Sequence, residues 1–276
     1  MDSEVNLREA LNAISDVIQN RPRPLRQFDQ IYMKAADMVA QAEYVARWAD
    51  GRRLAFLGDG DSISVCAAYL HAREILPYGP SQICVFDFDE RMVNAIRRFA
   101  DHAELSTLDA SLYNCIDPLP EDREQFDCFY TNPPWGASNA GNSVNVFVQR
   151  GMELVRFVGE GLIVIADDPT VAWSAEVLAN VQAFAAERGF YVNRLAPQLH
   201  SYHLDDAPDL KSCNLQIRSR PSSPERVESL SIDDPSRLDN FYGQGVQPKV
   251  RYVRERVAVD YGTAHEDEYE LRLFEE

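Results

Sequence analysis

"RRLAFLGDGDSIS", residues 52–64, decides the fold, because an apolar run leads directly into a turn with two glycines and then into a helical pattern. The apolar run predicts a buried strand. Glycines after a strand let the backbone pass close to a ligand, and the start of the next helix offers free N–H groups at the same place. The stretch therefore predicts the first strand–turn–helix unit of an α/β domain, with a ligand at the turn.

The same alternation of strand and helix patterns continues toward the C-terminus. Strands alternating with helices over this distance predict a mainly parallel sheet that is covered on both faces. In such sheets ligands bind beyond the C-terminal ends of the strands, so the residues that follow each apolar run are candidates for the site. The predicted strands are 52–58, 82–89, 112–115, 126–131, 161–167, 189–204 and 210–221, and the predicted helices are 62–75, 90–101, 145–157 and 171–189.

The segments on either side of this region have different patterns. The N-terminal part is helical in pattern, with a break at RPRP (21–24) and a second predicted helix over residues 27–50. The C-terminal part is polar and turn-rich, and the alternation in residues 243–262 predicts a hairpin. The sequence therefore predicts an N-terminal helical segment (1–50), a catalytic domain (51–220) and a C-terminal appendage (221–276).

Charge and composition narrow the class of ligand. The chain has 44 acidic and 27 basic residues, a formal net charge of −17, and a surface this negative attracts cations and repels phosphate backbones. No apolar run approaches the ~20 residues of a membrane span, and the N-terminus lacks the pattern of a secretory signal. Five cysteines without paired spacing predict reduced thiols. We therefore expect a cytoplasmic protein that binds a small cationic amine, without nucleic acid, membrane or metal.

Carboxylates follow the first two predicted strands. Asp59 and Asp61 flank Gly60, which disfavours a phosphate ligand and favours an amine or a sulfonium. Asp87 and Asp89 follow the second strand, where a carboxylate can accept hydrogen bonds from both hydroxyls of a ribose. Asp89 could equally be the N-cap of the next helix. At least one member of this pair is expected to bind a nucleoside.

Two acidic residues near the third predicted strand are weaker candidates. Asp117, and less so Asp109, is expected near the amino group of an adenine, although either could be a turn former.

The stretch YTNPPWG, residues 130–136, ends the fourth strand with a rigid corner. The amide oxygen of Asn132 and the backbone carbonyl of Pro133 can accept the protons of an amine, and the face of Trp135 can stabilise positive charge as it develops on nitrogen. A merely structural turn is the alternative. The combination favours alkyl transfer to a nitrogen atom.

These motifs, in this order, resemble the class I S-adenosylmethionine-dependent transferases, and among them the branched-chain polyamine synthases, which are aminopropyltransferases. The resemblance implies an α/β, Rossmann-like class I methyltransferase fold with a mainly parallel seven-stranded sheet and helices on both faces. It also implies decarboxylated S-adenosylmethionine as co-substrate, a polyamine as acceptor and no metal. The resemblance covers roughly residues 25–220 and rests on the stretches 28–42, 52–70, 85–96, 117–135 and 145–155.

Three positions depart from the family pattern, and they keep other functions open. Gly60 interrupts a run of aspartates, while Asn132 and Trp135 stand where the family usually has aspartate and tyrosine. Asn-Pro-Pro-aromatic is also typical of adenine amino-group methyltransferases. One alternative is therefore an S-adenosylmethionine-dependent N-methyltransferase acting on a small amine or adenine, and a second is a noncatalytic polyamine-binding or nucleoside-binding protein.

The resemblance and the strand ends together give a predicted site. A carboxylate-rich stretch, HSYHLDD (200–206), and the end of the fifth strand offer charges that match a polyamine, whereas its two histidines lack a third metal ligand. A homodimer is left open. The predicted catalytic residues are Asp59, Asp61, Asn132, Pro133 and Trp135; the predicted nucleoside-binding residues are Gly58, Asp59, Gly60, Asp61, Ser62, Asp87, Asp89, Asp117 and Asn132; and the predicted amine-binding residues are Trp135, Asp167, Asp168, His203, Asp205 and Asp206.

Overall fold

The computed structural model describes residues 5–120, 124–205, 207–221, 228–242, 245–257 and 266–274. Seven strands form one sheet in the order β3-β2-β1-β4-β5-β7-β6, in which β7 is antiparallel to both neighbours and the other pairs are parallel. This confirms the predicted fold class. The strands are β1 (Arg53–Leu57), β2 (Gln82–Asp87), β3 (Leu108–Leu112), β4 (Cys128–Thr131), β5 (Glu160–Ala166), β6 (Phe190–Ser201) and β7 (Lys211–Ser219).

Helices cover both faces of this sheet. The first four pack on one face and the next two on the other, so that the buried side chains of β1 alternate between two apolar clusters. No helix among the described residues is long and apolar enough to cross a membrane. The helices are α1 (Leu7–Asn20), α2 (Ala35–Trp48), α3 (Ile63–Ala72), α4 (Glu90–His102), α5 (Asn142–Leu154), α6 (Ala172–Glu187) and the short α7 (Pro235–Leu238), with 3₁₀ turns at Arg26–Phe28, Ala137–Asn139 and Glu266–Glu268.

Close packing of α5 on the sheet depends on a glycine. A Cβ atom added at Gly151 would lie 2.2 Å from the ring of Phe129 in β4, well inside the shortest contact that carbon atoms tolerate. The helix can therefore lie directly over the strand that ends at the Asn-Pro-Pro corner.

Three predicted elements are wrong in position. The helix predicted over residues 27–50 begins only at Ala35, because residues 26–28 form a separate 3₁₀ turn and Met33 donates its N–H to Asp61 Oδ1 at 2.6 Å. The third strand ends at Leu112, where it was predicted to begin. The predicted hairpin within 243–262, part of which lies outside the described residues, is replaced by a pair between β8 (Val250–Glu255) and β9 (Tyr269–Leu273).

The C-terminal segment packs against the sheet-and-helix core. Ile232, Leu238, Phe241 and Val253 are buried in the apolar cluster that also contains α5 and α6. Val253 donates its N–H to the carbonyl of Phe88, just beyond β2, at 3.1 Å. The segment thereby reaches the ligand edge of the sheet, while the domain boundaries at residues 50 and 220 stay predictions.

Candidate active site

A cleft opens at the C-terminal ends of β1, β2 and β4, the edge at which parallel sheets of this kind bind ligands. The space between its walls, counted out into the open solvent at its mouth, is about 860 Å³. Among the described residues, those that line it include three aspartates and no lysine, arginine or histidine. They are Phe28, Asp29, Gln30, Ile31, Gly58, Gly60, Asp61, Phe86, Asp87, Phe88, Tyr113, Asn114, Cys115, Asn132, Pro133, Pro134, Trp135, Phe147, Tyr202 and Tyr242.

The turn after β1 directs its two carboxylates to different places. Gly58 adopts a φ of +74°, and the chain then turns so that the Asp59 carboxylate accepts from Ile63 N at 2.8 Å, from Ser64 N at 3.2 Å and from Ser64 Oγ. Asp59 thus satisfies the N-terminus of α3, and burial raises the pKa of its carboxyl well above the usual value. Neither Asp59 nor Ser62 lines the cleft, so the predicted ligand contacts of these two side chains are not brought together with the rest.

Asp61 lies in the cleft wall and connects two segments that are distant in sequence. Its Oδ1 accepts from Met33 N at 2.6 Å and its Oδ2 accepts from Asn132 Nδ2 at 2.7 Å. Burial raises the pKa of Asp61, while the Met33 N–H, Arg21 and Asn132 act in the opposite direction. Because the amide nitrogen of Asn132 is committed to a carboxylate, its Oδ1 is the atom available to a ligand.

The pair after β2 divides in the same way. Asp87 lines the cleft, and its carboxylate accepts from Asp59 N at 3.0 Å and from Asp89 N at 2.9 Å. Burial, and then the neighbouring Asp89, raises the pKa of Asp87 to about 7. Asp89 instead caps α4 and binds the Arg91 guanidinium through Nε at 2.9 Å. Of the two candidates for the ribose position, only Asp87 faces the cleft.

The predicted adenine residue lies elsewhere. Asp117 Oδ2 accepts from Arg251 Nε at 3.0 Å and from the Tyr252 hydroxyl at 3.1 Å, both in β8, and Asp117 does not line the cleft. Asp109 is exposed on β3 beside Arg97. The cleft is lined instead by Tyr113, Asn114 and Cys115, which sequence reasoning missed because it placed the third strand over them.

The corner after β4 lies in the cleft as expected. Pro133, Pro134 and Trp135 all line it, and the Trp135 ring meets the Tyr202 ring edge to face with centroids 5.0 Å apart. The Trp135 Nε1 atom is buried without a hydrogen-bond partner among the described residues. A ligand with an acceptor atom could satisfy this N–H group.

An aromatic wall that the sequence did not reveal closes the opposite side. Phe28 meets Phe88 and Tyr242 edge to face at 5.3 and 5.2 Å, and Phe88 stacks on Tyr242 at 5.5 Å. These residues come from the 3₁₀ turn before α2, from the position just beyond β2 and from the C-terminal segment. No local pattern could have brought them together, since their contacts span most of the chain.

Three of the predicted amine-binding carboxylates, Asp167, Asp168 and Asp205, do not line the cleft. Asp167 Oδ2 accepts from Gln198 N at 2.9 Å, and Asp168 Oδ1 binds Thr170 in a turn, where these hydrogen bonds lower the pKa of Asp168. His203 and Asp205 lie at the exposed end of β6, and Asp206 lies outside the described residues. Among the described residues, no group of three histidines, cysteines or acids is arranged to hold a metal ion.

The sequence is similar to a known protein family and to several of its members. The model of a family described as branched-chain polyamine synthase A C-terminal domain matches residues 9–269. N(4)-bis(aminopropyl)spermidine synthases are 30% identical over 187 residues in Thermus thermophilus (67% of this chain, 50% of the relative) and 29% identical over 154 residues in Thermococcus kodakarensis (55% of this chain, 41% of the relative). The chain therefore spans about half the length of the curated relatives that it matches.

A solved structure has the same fold. The branched-chain polyamine synthase from Thermus thermophilus, crystallised in complex with N4-aminopropylspermidine and 5′-methylthioadenosine, has a TM-score of 0.68 and 22% sequence identity. The match covers 82% of this chain and 67% of that protein.

Proposed function

The chain belongs to the family of branched-chain polyamine synthase C-terminal domains, and from this premise we propose that it transfers an aminopropyl group from decarboxylated S-adenosylmethionine to an amine nitrogen of a polyamine. The observation that carries the assignment is the charge of the cleft, whose lining, in the part of the chain that the structure describes, has three carboxyls and no basic side chain. Such a lining favours cationic ligands and disfavours anionic ones.

Charge also distinguishes between the two sulfonium donors. Decarboxylated S-adenosylmethionine carries an ammonium and a sulfonium, whereas S-adenosylmethionine carries a carboxylate in addition. A ligand carboxylate would meet Asp61 without a basic partner in the cleft lining, which disfavours the methyl donor. The acceptor polyamine carries only positive charge and has no such conflict.

The nucleoside half of the donor fits the side of the cleft formed by β2 and the aromatic wall. Asp87, at the end of β2, can accept hydrogen bonds from both ribose hydroxyls. The adenine ring would pack among Phe28, Phe88 and Tyr242, because aromatic side chains bury a planar base with little loss of conformational entropy. The aminopropyl chain would then extend toward Asp61.

The reaction needs orientation and charge stabilisation more than acid catalysis. The acceptor nitrogen attacks the carbon bound to the sulfonium, the new N–C bond forms, and the C–S electron pair leaves with the thioether of 5′-methylthioadenosine. Asn132 Oδ1 and the Pro133 carbonyl would hold the N–H groups of the acceptor, and Asp61 would stabilise the positive charge on nitrogen and take up its proton. The leaving thioether is neutral, so it needs no proton.

The test is a product analysis. The protein is incubated with spermidine and either donor, and mass spectrometry looks for added aminopropyl or methyl groups. We expect aminopropyl addition only, lost in Asp61→Asn and kept in the control Asp168→Asn, which changes a half-buried carboxyl outside the cleft. Methyl addition alone would support the methyltransferase alternative, and binding of 5′-methylthioadenosine without any product would support the noncatalytic one. Either result would overturn the assignment.

A further inference from the structure

Tyr202 forms part of the cleft wall but has no role in the chemistry described so far. It follows β6 directly, is buried, and its ring packs edge to face on Trp135. Its hydroxyl lies 3.5 Å from Asn132 Nδ2 and 2.9 Å from Ser212 Oγ in β7. The phenol oxygen is therefore next to the amide that is placed to hold the acceptor nitrogen.

A line of hydrogen bonds continues from Tyr202 into the protein. Ser212 Oγ lies 2.8 Å from His200 Nδ1, and all three side chains are buried. Asp37, at the start of α2, is the charged group beside His200, and it accepts the neighbouring Ser201 N–H at 2.8 Å. Burial lowers the pKa of His200 to about 4, so the ring is neutral at physiological pH and Nδ1 can act as an acceptor.

The direction of this line determines what the phenol offers to the cleft. When His200 Nδ1 accepts, the Ser212 hydroxyl donates to it and the Tyr202 hydroxyl donates to Ser212. The phenol oxygen then accepts from Asn132 Nδ2 at 3.5 Å and has one further lone pair for an N–H donor of the ligand. In the reverse direction the phenol proton would point at the ligand. A cationic amine has only N–H donors and no acceptor for this proton, so it disfavours that direction.

We propose that Tyr202 is a substrate-positioning residue, whose oxygen accepts the N–H that stays on the acceptor nitrogen during attack and is kept in the accepting state by Ser212 and His200. This role rests on the proposed function. A secondary ammonium such as the internal nitrogen of spermidine has two N–H groups. Asn132 Oδ1 accepts a hydrogen bond from the N–H whose proton passes to solvent water before attack, and Tyr202 accepts a hydrogen bond from the N–H that remains.

The assignment separates two substrates. The internal nitrogen of N4-aminopropylspermidine is tertiary, so it has no N–H left when it attacks. Removing the Tyr202 oxygen should therefore impair transfer to spermidine and have little effect on transfer to N4-aminopropylspermidine. A residue that only supported the fold would affect both reactions equally.

The experiment compares kcat and KM for both acceptors in four variants. We expect Tyr202→Phe to lower kcat/KM for spermidine about tenfold or more and for N4-aminopropylspermidine by less than about threefold, because a hydrogen bond to a charged group is lost in the first case only. Ser212→Ala should show the same selectivity to a smaller degree, and the double variant should be no worse than Tyr202→Phe alone. Tyr44→Phe is the matched control, since its hydroxyl binds Gln216 at 3.0 Å and does not line the cleft.

Binding measurements keep this test separate from that of the reaction. Calorimetry in the presence of 5′-methylthioadenosine should show weaker spermidine binding in Tyr202→Phe, with the affinity for the nucleoside unchanged. If wild-type protein forms no product, the proposed reaction fails, and the spermidine affinities alone decide whether Tyr202 holds the amine. If Tyr202→Phe is unstable, Ser212→Ala supplies the comparison. Equal losses with both acceptors, additive losses in the double variant, or unchanged spermidine affinity would overturn the role of Tyr202.

Discussion

Replacing Asp87 by asparagine should change the free energy of unfolding, relative to wild type, more favourably at pH 8 than at pH 5. The folded protein raises the pKa of Asp87 from its usual 3.8 to about 7, mainly through burial. A carboxyl whose pKa is raised on folding binds its proton more tightly in the folded state, so stability falls as the pH rises from about 4 to about 7. At about 1.4 kcal/mol for each pKa unit, ionisation of Asp87 costs the folded state about 4 kcal/mol.

About 2 to 3 kcal/mol of this cost arises between pH 5 and pH 8, because the rest is already present at pH 5. The substitution also has a cost, since an amide oxygen cannot accept from both Asp59 N and Asp89 N as the carboxylate does. That loss, about 1 to 3 kcal/mol, does not depend on pH. The stability difference between the variant and wild type should therefore rise by about 2 to 3 kcal/mol over this range, whatever its starting value.

Urea unfolding at pH 5, 6, 7 and 8 measures this difference. Asp168→Asn is the control. Hydrogen bonds from Thr170 lower the pKa of Asp168, so the stability that its ionised form contributes is lost only below about pH 4. The effect of Asp168→Asn on the free energy of unfolding should therefore be constant from pH 5 to pH 8. If the difference in the free energy of unfolding between Asp87→Asn and wild type stays constant from pH 5 to pH 8, the reasoning is refuted. Burial would then not destabilise the ionised carboxyl of Asp87.

Three further predictions concern the cleft and its supports. The affinity for 5′-methylthioadenosine should fall by up to about tenfold per pH unit below pH 7, because Asp87 must lose its proton to accept from the ribose; calorimetry that shows no pH dependence would contradict this. Asn132→Ala should lower kcat with spermidine by about 100-fold, and an unchanged kcat would remove the amide from the reaction. Arg150→Met should lower the free energy of unfolding in urea by about 3 to 5 kcal/mol, because it leaves the buried Glu153 without the guanidinium that lies 2.8 Å away. Adding Glu153→Leu should recover much of this loss, and a double variant that is no more stable than Arg150→Met would contradict the prediction.

The central strands could be read from the sequence because buried parallel strands are continuous apolar runs. The stretches around β1, β4 and β5 are of this kind, and their buried residues face helices on both sides. The third strand, LDASL, is at the sheet edge and has an exposed aspartate as its second residue. An apolar run was therefore no guide to it, and the predicted adenine residue, Asp117, lies outside the cleft that Asn114 lines.

Strand ends predicted the part of the site that belongs to the sheet. Asp61, Asp87 and Asn132 all lie in the cleft because the C-terminal ends of neighbouring parallel strands meet at one edge. Which of two alternating carboxylates faces the ligand depends on the turn, and the positive φ of Gly58 could not be assigned from the residue type alone. For this reason the sequence predicts both Asp59 and Asp61 as site residues, although only Asp61 of the two lines the cleft.

The remaining walls come from tertiary contacts that no local pattern encodes. Phe28 lies in a segment whose helical pattern is overridden because Met33 binds Asp61. Tyr242 belongs to the C-terminal segment, which has no strand or helix signal near it. Tyr202 lies within the HSYHLDD stretch, where the prediction chose the histidine and aspartates as ligands of the amine. Among the described residues of that stretch, Tyr202 is the one that lines the cleft.

The central claim is that a cleft whose described lining residues include acidic but no basic side chains selects a donor without a carboxylate. Calorimetric titration of the wild-type protein with decarboxylated S-adenosylmethionine and with S-adenosylmethionine measures this selection directly. Two carboxylates at ~4 Å repel by about 1 to 4 kcal/mol, so the decarboxylated donor should bind at least about fivefold more tightly, and Asp61→Asn should reduce that preference. Equal or tighter binding of S-adenosylmethionine would contradict the claim.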